Sequence, residues 1–133
     1  MTTHGFDLVW LPGRYSIGRF PPSSALISVP SGPFVSITRT ADELSLVCPE
    51  TEMPRGGRSE GPYALFRLVG SIDLDLSGVI ASLTAPLAAA RIPVFTVSTF
   101  DTDYVLVRES DRRRAQAALG GAGFRFGGAS AEK

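Results

Sequence analysis

The side chains best suited to covalent chemistry are scarce in this sequence. It has one cysteine, Cys48, one histidine, His4, and no asparagine. A lone cysteine has no internal disulfide partner. One Cys and one His also fall short of the ligand set of a structural zinc site. His4 lies in a segment expected to fray, where a general base is poorly held. Serines are plentiful, but none has an evident base beside it to make it a nucleophile. Carboxylates are better placed: Asp73 with Asp75, and Asp101 with Asp103, form two close pairs. Such pairs suit acid–base work or the holding of a cation. They are also ordinary turn residues, because Asp and Thr side chains bond the nearby backbone. The basic run Arg112-Arg113-Arg114 reads first as a solvated helix face.

Composition narrows the classes further. The chain has 133 residues, with 44% hydrophobic and 20% charged, which is globular rather than disordered. Its 13 basic and 13 acidic residues cancel. That argues against an electrostatically driven nucleic-acid or membrane binder, which needs a basic excess. No apolar run reaches the roughly 18 residues of a membrane span. The opening MTTHGFDLVWLPGR lacks the charged start and apolar core of a secretion signal, so a cytoplasmic location is expected.

Elements that position these residues follow from periodicity. Phe6 to Leu11 is an apolar run closed by Pro12-Gly13, and Arg14 to Phe20 alternates as a strand. Pro21 to Pro33 holds four prolines and is expected to be irregular. Phe34–Thr38 and Leu44–Cys48 read as paired strands around a turn at Thr40–Glu43. Pro49 to Pro62 reads as a mobile loop. Tyr63 to Val69 is a strand. Ser77 is placed to cap a helix running to about Arg91, with Pro86 expected to kink it. Val94–Thr99 and Tyr104–Val107 are strands around Asp101-Thr102-Asp103. Asp111 opens a second helix that Gly120-Gly121 should stop, and Phe124–Phe126 is a last strand. From Tyr63 on the order is strand, helix, strand, strand, helix, strand. This split βαβ pattern predicts an antiparallel four-stranded sheet with both helices on one face.

The chain also resembles itself. Ser36–Val47 aligns without gaps on Thr96–Val107, at an offset of sixty residues. Both segments are hairpins with an acidic turn. The first half then reads as a worn copy of the second, its helices reduced to the Pro-rich stretch and the loop before Pro62.

Asp75-Leu76-Ser77-Gly78-Val79-Ile80, followed by Pro86-Leu87 and Arg91-Ile92-Pro93-Val94-Phe95, resembles the start of an ACT domain. With Leu11–Ile17, Ser36–Val47 and Ser98–Val107, the chain resembles the small bacterial tandem ACT-domain proteins. That group is related to the ACT modules of aspartate kinase and of the arginine-sensing CASTOR proteins. The resemblance runs from about Leu8 to Phe126. It implies an α+β fold of two ferredoxin-like βαββαβ modules in tandem, the first degenerate, with antiparallel sheets and helices on one face. The expected boundaries are 6–60 for the degenerate module, 61–127 for the C-terminal module and 128–133 for a disordered tail.

The resemblance implies a non-catalytic regulatory module that binds a small ligand, an amino acid, at the interface between ACT modules. The implied ligand residues are Ile72, Asp73, Asp75, Ser77, Gly78 and Val79 around the helix entry, with Thr99, Asp101, Thr102 and Asp103 on the hairpin turn. A ligand carboxylate suits the backbone N–H groups at a helix N-terminus, and its ammonium suits the nearby acids. No cofactor or metal is called for. The expected partners are the amino acid, a second copy in a homodimer, and a regulated enzyme, with no nucleic acid and no membrane. The alternative is an ACT-type oligomerisation or docking module that binds no ligand. RNA-recognition motifs share the element order but need stacking aromatics on the central strands, where Asp103–Arg108 offers only Tyr104. The acylphosphatase architecture is also similar, but that family relies on an asparagine.

Overall fold

A computed structural model describes residues 7–26, 28–70 and 77–127. Its strands are β1 (Asp7–Trp10), β2 (Tyr15–Phe20), β3 (Ser36–Arg39), β4 (Leu44–Pro49), β5 (Arg58–Leu68), β6 (Phe95–Ser98), β7 (Asp103–Arg108) and β8 (Arg125–Phe126). The helices are α1 (Val79–Ala89) and α2 (Arg112–Gly121). The chain divides into two units. One is Pro12–Tyr63, and the other combines residues up to Leu11 with those from Ala64 onward.

The unit Pro12–Tyr63 contains β2, β3, β4 and the first six residues of β5, in the order β3-β4-β2-β5 and antiparallel throughout. It has no α-helix among its described residues. Between its strands the described residues hold the Pro-rich stretch and a 3-10 turn, Glu50–Glu52. Prolines without N–H groups cannot propagate a helix. Arg39 holds the Pro-rich stretch instead, its guanidinium donating to the carbonyls of Pro22 and Ser24. Phe20, Leu44 and Leu46 form one buried cluster here, with Leu26 and Met53 packed against it, and Tyr15, Phe34, Val47 and Cys48 are buried as well. Strand β5 begins inside the segment expected to be a loop. It passes Pro62 because the register with β2 slips there: Tyr15 pairs with Tyr63, but Ile17 pairs with Glu60. A bulge is a place where a strand tolerates a proline.

The other unit contains β1, the end of β5, β6, β7, β8 and both helices. Its strand order is β6-β7-β5-β1-β8. β1 is antiparallel to β5, with Leu8 opposite Leu68, and parallel to β8, with Asp7 opposite Arg125. The sheet is therefore mixed, which corrects the expectation of antiparallel sheets. The cause is an added strand from far upstream, inserted between the first and last strands of the βαββαβ pattern. Val79, Leu83 and Leu87 of α1, with Ala115 and Leu119 of α2, pack on Leu8, Ala64, Phe66, Leu68, Val105 and Val107. Those strand positions share one face by the period-two rule, so both helices cover the same side. Burying a Leu side chain fully contributes about 1.5–3 kcal/mol. Leu8, Leu68, Leu83, Leu87 and Leu119 are all fully buried.

The new strand is fastened at the far edge. Trp10 stacks on Phe126 with ring centroids 5.0 Å apart and meets Phe66 edge-on at 5.3 Å. Its indole N–H donates to Gln116 Oε1 at 2.8 Å, and the Arg112 guanidinium lies 4.6 Å from the ring centroid. Arg112 of the basic run thus packs on an aromatic face, a cation–π contact. Arg114 donates to Asp111 at 2.9 Å and to the carbonyl of Ala90.

Candidate functional site

The hairpin turn between β6 and β7 is built by threonine. The Thr99 N–H donates to the Thr102 carbonyl at 2.9 Å, and the Thr99 hydroxyl oxygen accepts from the Thr102 N–H at 3.3 Å. A four-residue loop closed at both ends results. The turn between β3 and β4 is the same construction: Thr40 N–H donates to the Glu43 carbonyl at 2.9 Å, and Thr40 Oγ1 accepts from the N–H groups of Asp42 and Glu43 at 3.1 Å. The equivalence runs Thr40 to Thr99 and Glu43 to Thr102, an offset of 59 rather than the sixty read from sequence. Strand register agrees, since Ser36 pairs with Val47 and Phe95 pairs with Leu106. A one-residue slip exchanges the two faces of a strand. The sixty-residue alignment matched β-branched residues in a register that the backbone does not use.

The correct register separates the acids. Asp101 is exposed, and among the described residues its carboxylate has no partner; it corresponds to Asp42. Asp103 is half-buried and accepts from the Ser98 hydroxyl at 2.6 Å across the strand pair. Thr102 is buried, and its hydroxyl donates to the carbonyl of Leu68 at 3.3 Å. The turn thereby rests on the last residue of β5. Arg67 Nη1 donates to the same carbonyl at 2.8 Å. Neither Arg67 nor the Leu68 carbonyl was picked out from sequence, because a strand arginine and a backbone oxygen carry no motif.

Helix α1 starts one residue later than Ser77 capping would give. Gly78 is the cap residue, in the left-handed region with φ 84°, and no side chain caps it. A Cβ on Gly78 would meet nothing within 4 Å, so the backbone angle rather than crowding is what favours glycine. The first intrahelical bond is Ser82 N–H to Gly78 carbonyl at 3.0 Å. The N–H groups of Val79, Ile80 and Ala81 therefore have no partner within the helix, and no acid occupies its first turn. Val79 is buried, while Ser77 and Gly78 are exposed. Among the described residues no hydrogen bond joins Ser77 or Gly78 to the turn. Ile72, Asp73 and Asp75 lie outside the described residues. Asp111 does precede α2 but makes no capping bond, since its carboxylate is turned to Arg114. That helix includes Gly120 and ends at Gly121, with Ala122 as its cap residue; the φ of 103° at Gly123 then permits the Phe124 N–H to reach the Leu119 carbonyl at 3.1 Å.

Two clefts lie among other residues. One of about 420 Å³ is bounded by Ala25, Leu26, Ser28, Pro30, Glu52 and Arg55. The second, an open groove of about 480 Å³, is bounded by Arg112, Arg113, Gln116 and Ala117. Cys48 is buried, and burial, with Glu52 adding to it, pushes its thiol up to about 11. It stays protonated and inert near neutrality. Among the described residues no group of three or more His, Cys, Asp or Glu is placed to hold a metal ion. No helix among them is long and apolar enough to cross a membrane.

The strand order, the two helices on one face and the glycine-opened helix after β5 define a small ACT-domain protein. An ACT domain family model matches residues 58–120, and an N-terminal domain model matches residues 13–56. The chain belongs to the ACT-domain family. It is similar over 91% of both chains to Atu0741 from Agobacterium tumefaciens, with 38% identity and a TM-score of 0.84. VC0802 from Vibrio cholerae, described as a possible transport protein of unknown function, has 21% identity and a TM-score of 0.71, covering 89% of this chain and 90% of that one. The regulatory subunit of aspartate kinase from Thermus flavus shares the fold, with a TM-score of 0.59 at 10% identity, covering 87% of this chain and 96% of the subunit. No curated protein matches the sequence.

Proposed function

We propose that this protein is a non-catalytic regulatory module that binds an amino acid through its helix-bearing unit. The observation that carries the reading is the opening of α1: Gly78 in a left-handed conformation, no side-chain cap, no acid in the first turn, and three N–H groups without partners in the helix. Such a terminus attracts a carboxylate through both the macrodipole and the N–H groups themselves. Asp101, exposed on the turn that rests on β5, is assigned to the ligand ammonium, with Thr99 beside it. Asp73 and Asp75, on the way into the helix, are assigned to the same cationic end, and Ile72 to an apolar contact. Likeness to aspartate kinase regulatory domains supports a regulatory role. On this reading the chain is a tandem of two ACT modules, the first without helices, and works as a homodimer on an enzyme partner.

The test is thermal unfolding against each of the twenty amino acids at millimolar concentration. A ligand at about 100 times its dissociation constant adds about 2.7 kcal/mol to stability. A selective rise of several degrees for one or two amino acids, absent in Asp101→Ala, is the expected result. A flat response across the panel overturns the ligand reading and leaves the docking module.

A further inference from the structure

We propose that Thr102 is a positioning residue that couples the acidic turn to the exit of β5. Among the described residues only Ser16 and Thr102 are polar and buried, and Thr102 is 6% exposed. A buried hydroxyl is costly unless it is bonded, and valine would fill the same space without that cost. Here the hydroxyl finds the Leu68 carbonyl, 34 residues away in the chain. Leu68 is the last residue of β5, and Val69 and Gly70 lead on from it toward α1. Val69 is itself fixed, its N–H donating to the Asp7 carbonyl at 2.8 Å. The sister turn lacks this tie: Glu43, the residue equivalent to Thr102, sends its carboxylate to within 3.8 Å of the exposed Arg19 guanidinium. The hydroxyl is thus particular to the turn that carries Asp101. β7 already pairs with β5, and the hydroxyl adds a tie from the turn itself to the strand leading to the glycine-opened helix. Thr102 then sets where Asp101 stands without touching a ligand.

The functional half of this inference rests on the amino-acid reading; the coupling does not. Amide hydrogen exchange of the ligand-free protein therefore tests it directly. Thr102→Val is expected to speed exchange at Thr99, Thr102 and Val69 together, by about tenfold, the order of one lost buried hydrogen bond. Thr102→Ser, which keeps the hydroxyl, is expected to stay near wild type, and Glu43→Ala to leave all three amides unchanged. If Thr102→Val does not fold, Thr102→Ala against Thr102→Ser gives the same comparison. Faster exchange in the turn with Val69 unmoved, or a serine variant that behaves like valine, overturns the coupling. With an amino acid from the unfolding panel, Thr102→Val is expected to weaken binding by about tenfold and Thr102→Ser to restore it. A wild-type protein that binds none of the twenty defeats the proposed function, while the exchange data still decide the coupling.

Discussion

At Thr40 and at Thr99 a threonine closes the same four-residue loop, and the fourth residue of each loop then goes a different way. Glu43 reaches outward to Arg19, whose guanidinium also donates to the Asp42 carbonyl at 3.2 Å. Thr102 reaches inward to Leu68. In the first hairpin a protein side chain lies against the outer side of the loop. In the second, the loop is held from beneath; the corresponding acids, Asp42 and Asp101, are exposed in both. The surroundings differ in the same sense. The first hairpin belongs to a unit with no α-helix among its described residues, and the second to a unit whose sheet carries two helices. One turn geometry is therefore anchored in two ways: by a guanidinium against its outer side at Asp42, and by a buried threonine hydroxyl beneath it at Thr102.

The contrast in support gives the largest expected effect. Leu83→Ala in the two-helix core should cost about 3–5 kcal/mol, and Leu46→Ala in the Phe20–Leu44–Leu46 cluster about 2–3 kcal/mol, by urea unfolding. Equal losses would mean that the two cores are equally well packed. Alkali should next attack the unit Pro12–Tyr63. Burial raises Tyr15 from 10.0 to about 12 and, with Glu52 adding, Cys48 from 9.0 to about 11. Both groups hold their protons more tightly folded than unfolded. Their contribution is complete below about pH 9 and falls as the unfolded thiol and phenol ionise. It is gone once the pH passes the folded values. Urea midpoints from pH 8 upward should stay level to about pH 9 and then decline, with Cys48→Ala moving the onset toward pH 10.

Smaller effects separate the turns themselves. Thr102→Val should cost about 1–2 kcal/mol, as expected for a buried hydrogen bond. Glu43→Ala should cost no more than about 0.5 kcal/mol, because its ion pair is exposed and screened. A reversal of that order in denaturant titrations would cancel the distinction between covered and supported loops. Asp42→Asn and Asp101→Asn should both leave stability within about 0.5 kcal/mol. Only the second should abolish the amino-acid-dependent shift in unfolding temperature.

Much of this architecture is legible in the sequence. The strands around both turns, the two helices of the second half and the lack of an α-helix among the described residues 12–63 follow from apolar spacing, prolines and glycines, all of them local signals. The family resemblance rested on the same segments. What escaped was long-range or one residue wide. Nothing near Asp7 announces that β1 will pair with Arg125 and Phe126 at the other end of the chain. The proline at 62 hid the start of β5, because a bulge that tolerates it depends on the partner strand. The offset of 59 was missed because β-branched residues match in either register, while the threonine that fixes the true one is a single side chain. Of the candidate site, the acidic turn was legible, while the helix opening falls one residue later than the Ser77 cap expected from sequence. The inward direction of Thr102 was not, since only packing decides which way a turn residue faces.

The position of β1 between β5 and β8 has a consequence for synthesis. Once residue 68 has been made, Leu8 and Trp10 have their partners on one side. The other side of Leu8 stays unpaired until Arg125 and Phe126 appear, and Phe126 also brings the ring on which Trp10 stacks. At 5–20 residues per second, making residues 69–126 takes roughly 3 to 12 s. Throughout that interval the nascent chain presents a bare strand edge carrying Leu8 and Trp10, open to a neighbouring chain on the same message. The two-residue strand that ends the fold is therefore also its seal: small as it is, β8 is what ends the period in which one copy can be captured by another.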